Sequence, residues 1–541
     1  MLSTRSWIKS LAGQIPLTAE LYQNLFAREN LPADGYELNR LKGHLPSWTA
    51  AVADVRRGAE VGEPKRVVVF GYLHWWLEYA TALALMLAAQ GHEVTLAFLP
   101  YRRWTDEVTE FDVRRQRTYI QRVLAQAAPV LEYQDLSAVR PRGLPEALEQ
   151  SLQQLSHTDV QYTLQREDVN LQEGSSEEAL FSLRLRRNRT AAAGVVDLLN
   201  EGSFDAIVIP NGSILEFGAV YRTARHLDLT TITYEFGEQN GRIWLSQNDE
   251  VMRQDTKALW DARGSIPLAD TERDEIQSLL QARRGGETWG NFGRQWQSGE
   301  SRGALGVRQV LGLDPNRPVV LLTTNVVGDS LALNRQIFTD GMSDWLEHTV
   351  KYFAERSDAQ LVVRVHPGEL LGVGHPSIEI VQSSLAEMPE HVVVVPPESD
   401  INTYDLIELA HLGLVYTTTT GLEMALSGIP VITAGQTHYR NKGFTDDPLS
   451  LEEYLNLIGS RLGEPIGRRL EENQVNLAWR YAHRFFFEYP FRFPWHLLQF
   501  WDDIASHPLE EVIQSTGVKP FLETLNAFTG EPIDWLKHSV K

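Results

Sequence analysis

Apolar residues in this chain fall into short unbroken runs separated by longer stretches with helical spacing, and that alternation predicts the architecture. Residues 65–72 (KRVVVFGY) are continuous in β-branched residues, as a strand buried on both faces of a parallel sheet is. A helix is predicted over 75–90, Gly91-His92 turns the chain, and residues 93–99 read as the next strand. The pattern returns at 204–210 (strand), 214–227 (helix) and 230–234 (strand). It returns a third time with strands at 319–323, 360–365 and 392–395, a helix at 342–356, and the unit 404–433. In that last unit an amphipathic helix (404–410) leads into a strand (412–416). Four threonines and Gly421 open a second helix, and Gly428 and Pro430 end it before the strand 431–433.

Strands alternating with helices predict an α/β chain with two doubly wound, Rossmann-like domains. The boundaries read as follows. Residues 1–62 form a helical N-terminal segment. Residues 63–281 form a first α/β domain, with a mixed-charge helical insertion on its outside at about 102–200. Residues 282–303 (ARRGGETWGNFGRQWQSGESRG) are Gly-rich and polar and read as a linker, with two tryptophans that suggest docking. Residues 304–478 form the second α/β domain, and 479–541 are C-terminal helices. The aromatic run 481–501 (YAHRFFFEYPFRFPWHLLQFW) admits two readings, packing on a core or a patch at a membrane surface.

Composition narrows the picture. At 541 residues the chain is too long for one ordinary core, and 43% hydrophobic with 22% charged residues is a globular balance. A net charge of −21 argues against a general nucleic-acid surface, so any anion site is local. The chain has no cysteine, which excludes disulfides, thiolate zinc sites and a cysteine nucleophile. That usage fits a reducing compartment, and the expectation is a cytoplasmic protein. The longest apolar run, 80–89, is too short to span a bilayer, and the first residues lack the apolar core and cleavage site of a signal peptide.

Chemistry is expected at the carboxyl ends of the strands, where ligands of open α/β sheets bind. In the second domain three loops fall there: Thr324-Asn325, His366-Pro367, and Thr417, Thr418, Thr419, Thr420 with Gly421. They offer hydroxyls, an imidazole and the amides of a helix start, a set that suits phosphate. Thr420-Gly-Leu-Glu423 is also a capping box, which by itself needs no ligand. Arg364 and Lys442 are the nearby cations expected to neutralise a leaving group without a metal. There is no paired-aspartate motif and no Walker A sequence. In the first domain the G-x-G-x-x-G fingerprint is missing, so a dinucleotide cofactor is not supported. Its edge offers His74, either a substrate contact or structural, and Glu235-Phe236-Gly237-Glu238, either turn acids or a base facing the cleft.

These residues resemble the bacterial capsule polysaccharide glycosyltransferases of GT-B fold. That group includes Kdo-transferases and is similar to bacterial sialyl- and polysialyltransferases. Three marks carry the resemblance. They are His366-Pro367, the run Thr417 to Thr420 with Glu423 and Gly428-Ile-Pro430, and the acidic motif Glu235-Phe236-Gly237. It spans roughly residues 65–501 and is firmest over 325–444. It implies that the His-Pro and threonine motifs bind the nucleotide phosphate and that Glu235 is the general base, with Glu238 and His74 as rivals. Phe236 stands where the related transferases usually have a second acid.

The function expected is transfer of a sugar from a nucleotide-sugar donor to a growing capsular or other cell-surface glycan, free or lipid-linked, with no cofactor and no metal. The His-Pro motif favours a CMP-sugar, with UDP- and GDP-sugars open. A peripheral place at the inner face of the cell membrane is compatible with such an acceptor. Two alternatives stay open: a non-hydrolysing nucleotide-sugar 2-epimerase, and a silent nucleotide-sugar-binding subunit.

Overall fold

The apolar runs form the strands of two sheets. The computed structural model describes residues 4–27, 36–58, 63–138, 143–292, 300–372 and 376–538. The first sheet contains β1 (Arg66–Gly71), β2 (Glu93–Phe98), β3 (Glu132–Asp135), β4 (Ala206–Pro210), β5 (Thr230–Phe236) and β6 (Arg242–Gln247). The second contains β7 (Val319–Thr323), β8 (Gln360–Arg364), β9 (Val392–Val395), β10 (Leu412–Val415) and β11 (Val431–Thr433). A last short strand, β12 (Phe491–Arg492), returns to the first sheet.

The strand order is β12-β6-β5-β4-β1-β2-β3 in one sheet and β11-β10-β7-β8-β9 in the other. The second sheet is wholly parallel. In the first, β1 to β5 are parallel, and β6 and β12 extend the edge antiparallel to their neighbours. Each domain thus repeats one doubly wound pattern, in which the first strand is flanked by the second and the fourth. The two domains face a common cavity, which is the GT-B arrangement.

The strands β3, β6 and β12 depart from the sequence reading. The stretch read as a wholly helical insertion contributes β3, which pairs with β2 from Thr95↔Glu132 to Phe98↔Asp135. Its sequence, EYQD, is a polar edge strand with no apolar run to announce it. The appended helices are therefore Glu146–Leu164 and Ser176–Glu201, while Glu110–Leu124 crosses from β2 to β3. The aromatic run 481–501 packs inward, with Tyr489, Phe491, Phe493 and Trp495 buried, so the packing reading holds and no aromatic membrane patch forms there. Part of the linker expected at 282–303 lies outside the described residues; the helix Asp270–Gly285 covers its start.

The appended helices are tied to the first domain by charge. Arg184 is fully buried and reaches Asp159 at 3.2 Å and Glu216 at 2.7 Å. It also donates to Asn188 Oδ1 and to the carbonyl of Trp104, each at 3.1 Å. Burial alone would lower the guanidinium's affinity for its proton, but the two carboxylates raise it well above the ordinary range. Arg184→Met leaves two buried acids facing each other. It should destabilise the protein by about 3–5 kcal/mol in urea unfolding, the cost of breaking a buried ion pair.

Candidate functional site

The loops after β7, β8 and β10 meet at the topological switch point of the second sheet. The amide of Thr417 donates to Asn325 Oδ1 at 3.1 Å, joining the loops on either side of that point. The His366 amide donates to Thr324 Oγ1 at 3.0 Å, which joins the third. His366 Nδ1 accepts from the Gly368 amide at 2.9 Å, so the ring's hydrogen is left on Nε2 as a donor. Burial, and Arg364 beside it, push the imidazole down to about 4, so it is neutral at physiological pH.

These loops line a cavity of about 250 Å³, and the first domain supplies its facing wall through Glu238, Gln239, Trp244 and Met252 to Gln254. Asn325, Arg364, His366, Pro367, Thr417, Thr418, Thr419, Thr420 and Glu423 all line it, as the sequence reading placed them. Arg364 is held by the Pro396 carbonyl at 2.6 Å and by Thr403 Oγ1 at 3.3 Å. Burial lowers it to about 10, which still leaves it charged near neutral pH.

Other expected residues lie elsewhere. Gly421 does not line the cavity. A Cβ there would stand 2.2 Å from the hydroxyl of Tyr439, which donates to the Thr418 carbonyl at 2.7 Å, so the glycine serves the packing of the threonine turn. Lys442 also lies off the cavity lining and faces Asp255, Asp261 and Lys257; burial lowers its proton affinity. Glu235, the last residue but one of β5, lies off the lining and is buried; its carboxylate accepts from Asn211 Nδ2 at 3.0 Å and from the following amide at 3.1 Å. His74 is half-buried at the start of the helix His74–Ala89, edge-on to Tyr36 and Trp75, and is also off the lining. Of the three acid–base candidates, Glu238 alone lines the cavity.

The capping-box reading fails for a physical reason. Thr419, the residue before the helix Thr420–Leu426, makes no side-chain cap bond, and Glu423 is spent on Arg283. Arg283 bonds both Glu423 and Glu238 and lies over the ring of Phe486, 4.7 Å from its centroid. The sequence reading missed Arg283 and a second cavity-lining arginine, Arg335. The only signal for either was a basic residue next to a ligand-edge loop or at a helix end.

His438 also lines the cavity. It stacks on Phe485 at 3.8 Å, hydrogen-bonds the Tyr481 hydroxyl at 2.9 Å, and is pushed down to about 3 by burial and then by Lys442. Both imidazoles therefore stay neutral in the folded state. Below about pH 6.5 the unfolded chain takes up protons that the native chain refuses. Stability from these two groups is complete above that pH and is lost as the pH falls toward 4 and then 3. Urea midpoints measured between pH 7.5 and 4.5 should fall on the acid side, and His366→Asn should flatten that limb by up to about 1.4 kcal/mol per pH unit.

Residues 296–457 match the family model of the capsule polysaccharide biosynthesis proteins. The match covers most of the second domain and includes all three loops, so the resemblance drawn from the motifs meets an independent comparison. No curated protein matches the chain. Among solved structures, the β-Kdo 2,4-transferase KpsC of Thermosulfurimonas dismutans is similar at 17% identity, over 54% of this chain and 82% of that chain, with a TM-score of 0.35. A UDP-GlcNAc 2-epimerase from Neisseria meningitidis, bound to UDP-GlcNAc, is similar at 12% identity, over 76% of this chain and 94% of that chain, with a TM-score of 0.24. Superpositions this loose carry no functional argument.

Proposed function

We propose that this chain is a glycosyltransferase that moves a sugar from a nucleotide-activated donor to a capsular or other cell-surface glycan. One observation carries the reading. Three strand-end loops converge at the switch point of the second sheet, bringing hydroxyls, amides, a neutral imidazole donor and a buried arginine to a cavity that faces the first domain. In this reading an acceptor hydroxyl attacks the anomeric carbon as the bond from that carbon to the phosphate oxygen breaks. The nucleotide leaves with its charge held by His366, the threonine hydroxyls and Arg364, and no metal is required. The acceptor's proton passes to a carboxylate of the first domain. Glu235 is proposed for that role from the motif it shares with the related transferases, and it stands at the carboxyl end of β5 just off the cavity lining. Glu238 is its rival, although its pairing with Arg283 weakens it as a base. CMP-sugars are the favoured donors, with UDP- and GDP-sugars the other arms of a panel.

His366→Ala should lower donor use by about 10²-fold, as loss of one charge-stabilising donor does. Glu235→Gln should keep donor binding and lose transfer by roughly 10²- to 10⁴-fold. Normal transfer by Glu235→Gln together with a dead Glu238→Gln would move the base to Glu238. Activity should survive EDTA, and restoration by Mg²⁺ alone would reveal a required metal. Incubation of the donor without acceptor separates the epimerase alternative, which would yield an isomerised sugar nucleotide.

A further inference from the structure

Among the described residues, two arginines of the cavity have no carboxylate within ion-pair distance. Arg283 is balanced by Glu238 and Glu423, and Arg253 has Asp249 at 3.4 Å and Glu250 at 3.8 Å. Arg364 and Arg335 make no ion pair among the described residues. Arg364 is at least occupied by a carbonyl and a hydroxyl. Arg335 is not. It is 4% exposed, its Nη1 reaches only its neighbour's carbonyl at 3.4 Å, and its Nη2 is buried with no hydrogen-bond partner. Two further lining atoms, Thr323 Oγ1 and His438 Nε2, are likewise unpartnered. An idle buried guanidinium is costly, and its planar N–H edge fits a carboxylate or phosphate.

The loop that presents Arg335 is fixed on both sides. The Gln436 amide donates to the Arg335 carbonyl at 2.7 Å. Asn334 holds a left-handed φ of +59° and donates its side-chain amide to Thr158 of the first domain at 3.3 Å. The guanidinium is thus placed on the cavity by both domains.

We propose that Arg335 binds a second anionic group of the donor, distinct from the phosphate held at His366 and the threonine run. That group is either the carboxylate of an acidic sugar on a nucleoside monophosphate or the outer phosphate of a nucleoside diphosphate. This inference rests on the donor-binding reading given above.

The test is calorimetric titration of the full-length wild type, Arg335→Gln, Arg335→Lys and His366→Ala with CMP, UMP, CDP, UDP and a CMP-linked sugar acid. Arg335→Gln should weaken ligands carrying the second anionic group by on the order of tenfold to a hundredfold, the worth of a charge-assisted hydrogen bond. It should leave the monophosphates within about threefold, and Arg335→Lys should recover part of the loss. Loss confined to the sugar acid identifies a carboxylate, and loss confined to the diphosphates identifies an outer phosphate. His366→Ala should weaken every ligand. Equal weakening of the monophosphates by Arg335→Gln, or no weakening at all, overturns the inference while leaving the donor reading intact. If the wild type binds none of these nucleotides, the donor reading falls and the inference falls with it. Thermal melting of the ligand-free variant is the control for folding. Removing an unpaired buried charge should not lower the midpoint, and a fall of several degrees would assign Arg335 a structural role instead.

Discussion

A buried guanidinium with a carboxylate from each domain is the constraint on which the rest of the site depends. Arg283, near the end of the helix Asp270–Gly285, bonds Glu238 from the first domain and Glu423 from the second. Burial works against its charge, and the two carboxylates outweigh burial and hold it protonated. Tyr404 beside it also favours the charged form of Glu423. Charges withdrawn from water are stable only while every partner stays in place, so this triad has little tolerance for separation. It fixes the distance between the two walls of the cavity at one end. It also removes two carboxylates from the ligand's view, which suits a pocket for an anion.

Within the second domain, positions follow from the sheet. β7 and β10 are neighbours, so Thr324-Asn325 and Thr417 emerge side by side, and the Asn325–Thr417 hydrogen bond is a consequence of that register. Tyr439 supports the threonine turn from beneath, which is possible because position 421 has no side chain. The short helix Thr420–Leu426 gains nothing from its own cap, so its orientation comes from these tertiary contacts.

Much of this was legible in the sequence because unbroken apolar runs and strand-end motifs are local signals. The β-branched runs gave β1, β4, β7 and β8, and the His-Pro and threonine loops followed from where those strands end. The misses share a cause, since each depends on a partner distant in the chain. β3 is polar and is recognisable only through its pairing with β2. β6 alternates half-buried and buried residues and gains its place from β5 and β12. Glu423 looked like a capping residue because Arg283, 140 residues away in the sequence, was invisible as its partner. Arg335 is an ordinary loop arginine until its surroundings show that, among the described residues, no acid comes within ion-pair distance, Glu250 and Asp249 acting on it only from farther off. Lys442 was a cation close to the motif in sequence but off the cavity in space.

The path of the C-terminal segment has a mechanical consequence. The helix Glu472–His483 lies on the second domain, where Trp479 Nε1 donates to the Leu426 carbonyl at 3.1 Å, and β12 then joins the first sheet. The backbone therefore crosses between the halves twice, once before the helices Lys257–Arg263 and Asp270–Gly285, whose Leu259, Ile276 and Leu279 are buried in the second domain's core, and once before β12. Two covalent crossings tether the halves at two places, so rotation about the line that joins them is the motion that strains the backbone least, as with a door on two hinges. Glu167 of the first domain supplies a catch, accepting from the amides of Met342 at 3.0 Å and Ser343 at 2.6 Å at the start of the helix Met342–Ala354. Any opening of the cavity about that axis breaks the two hydrogen bonds of that catch.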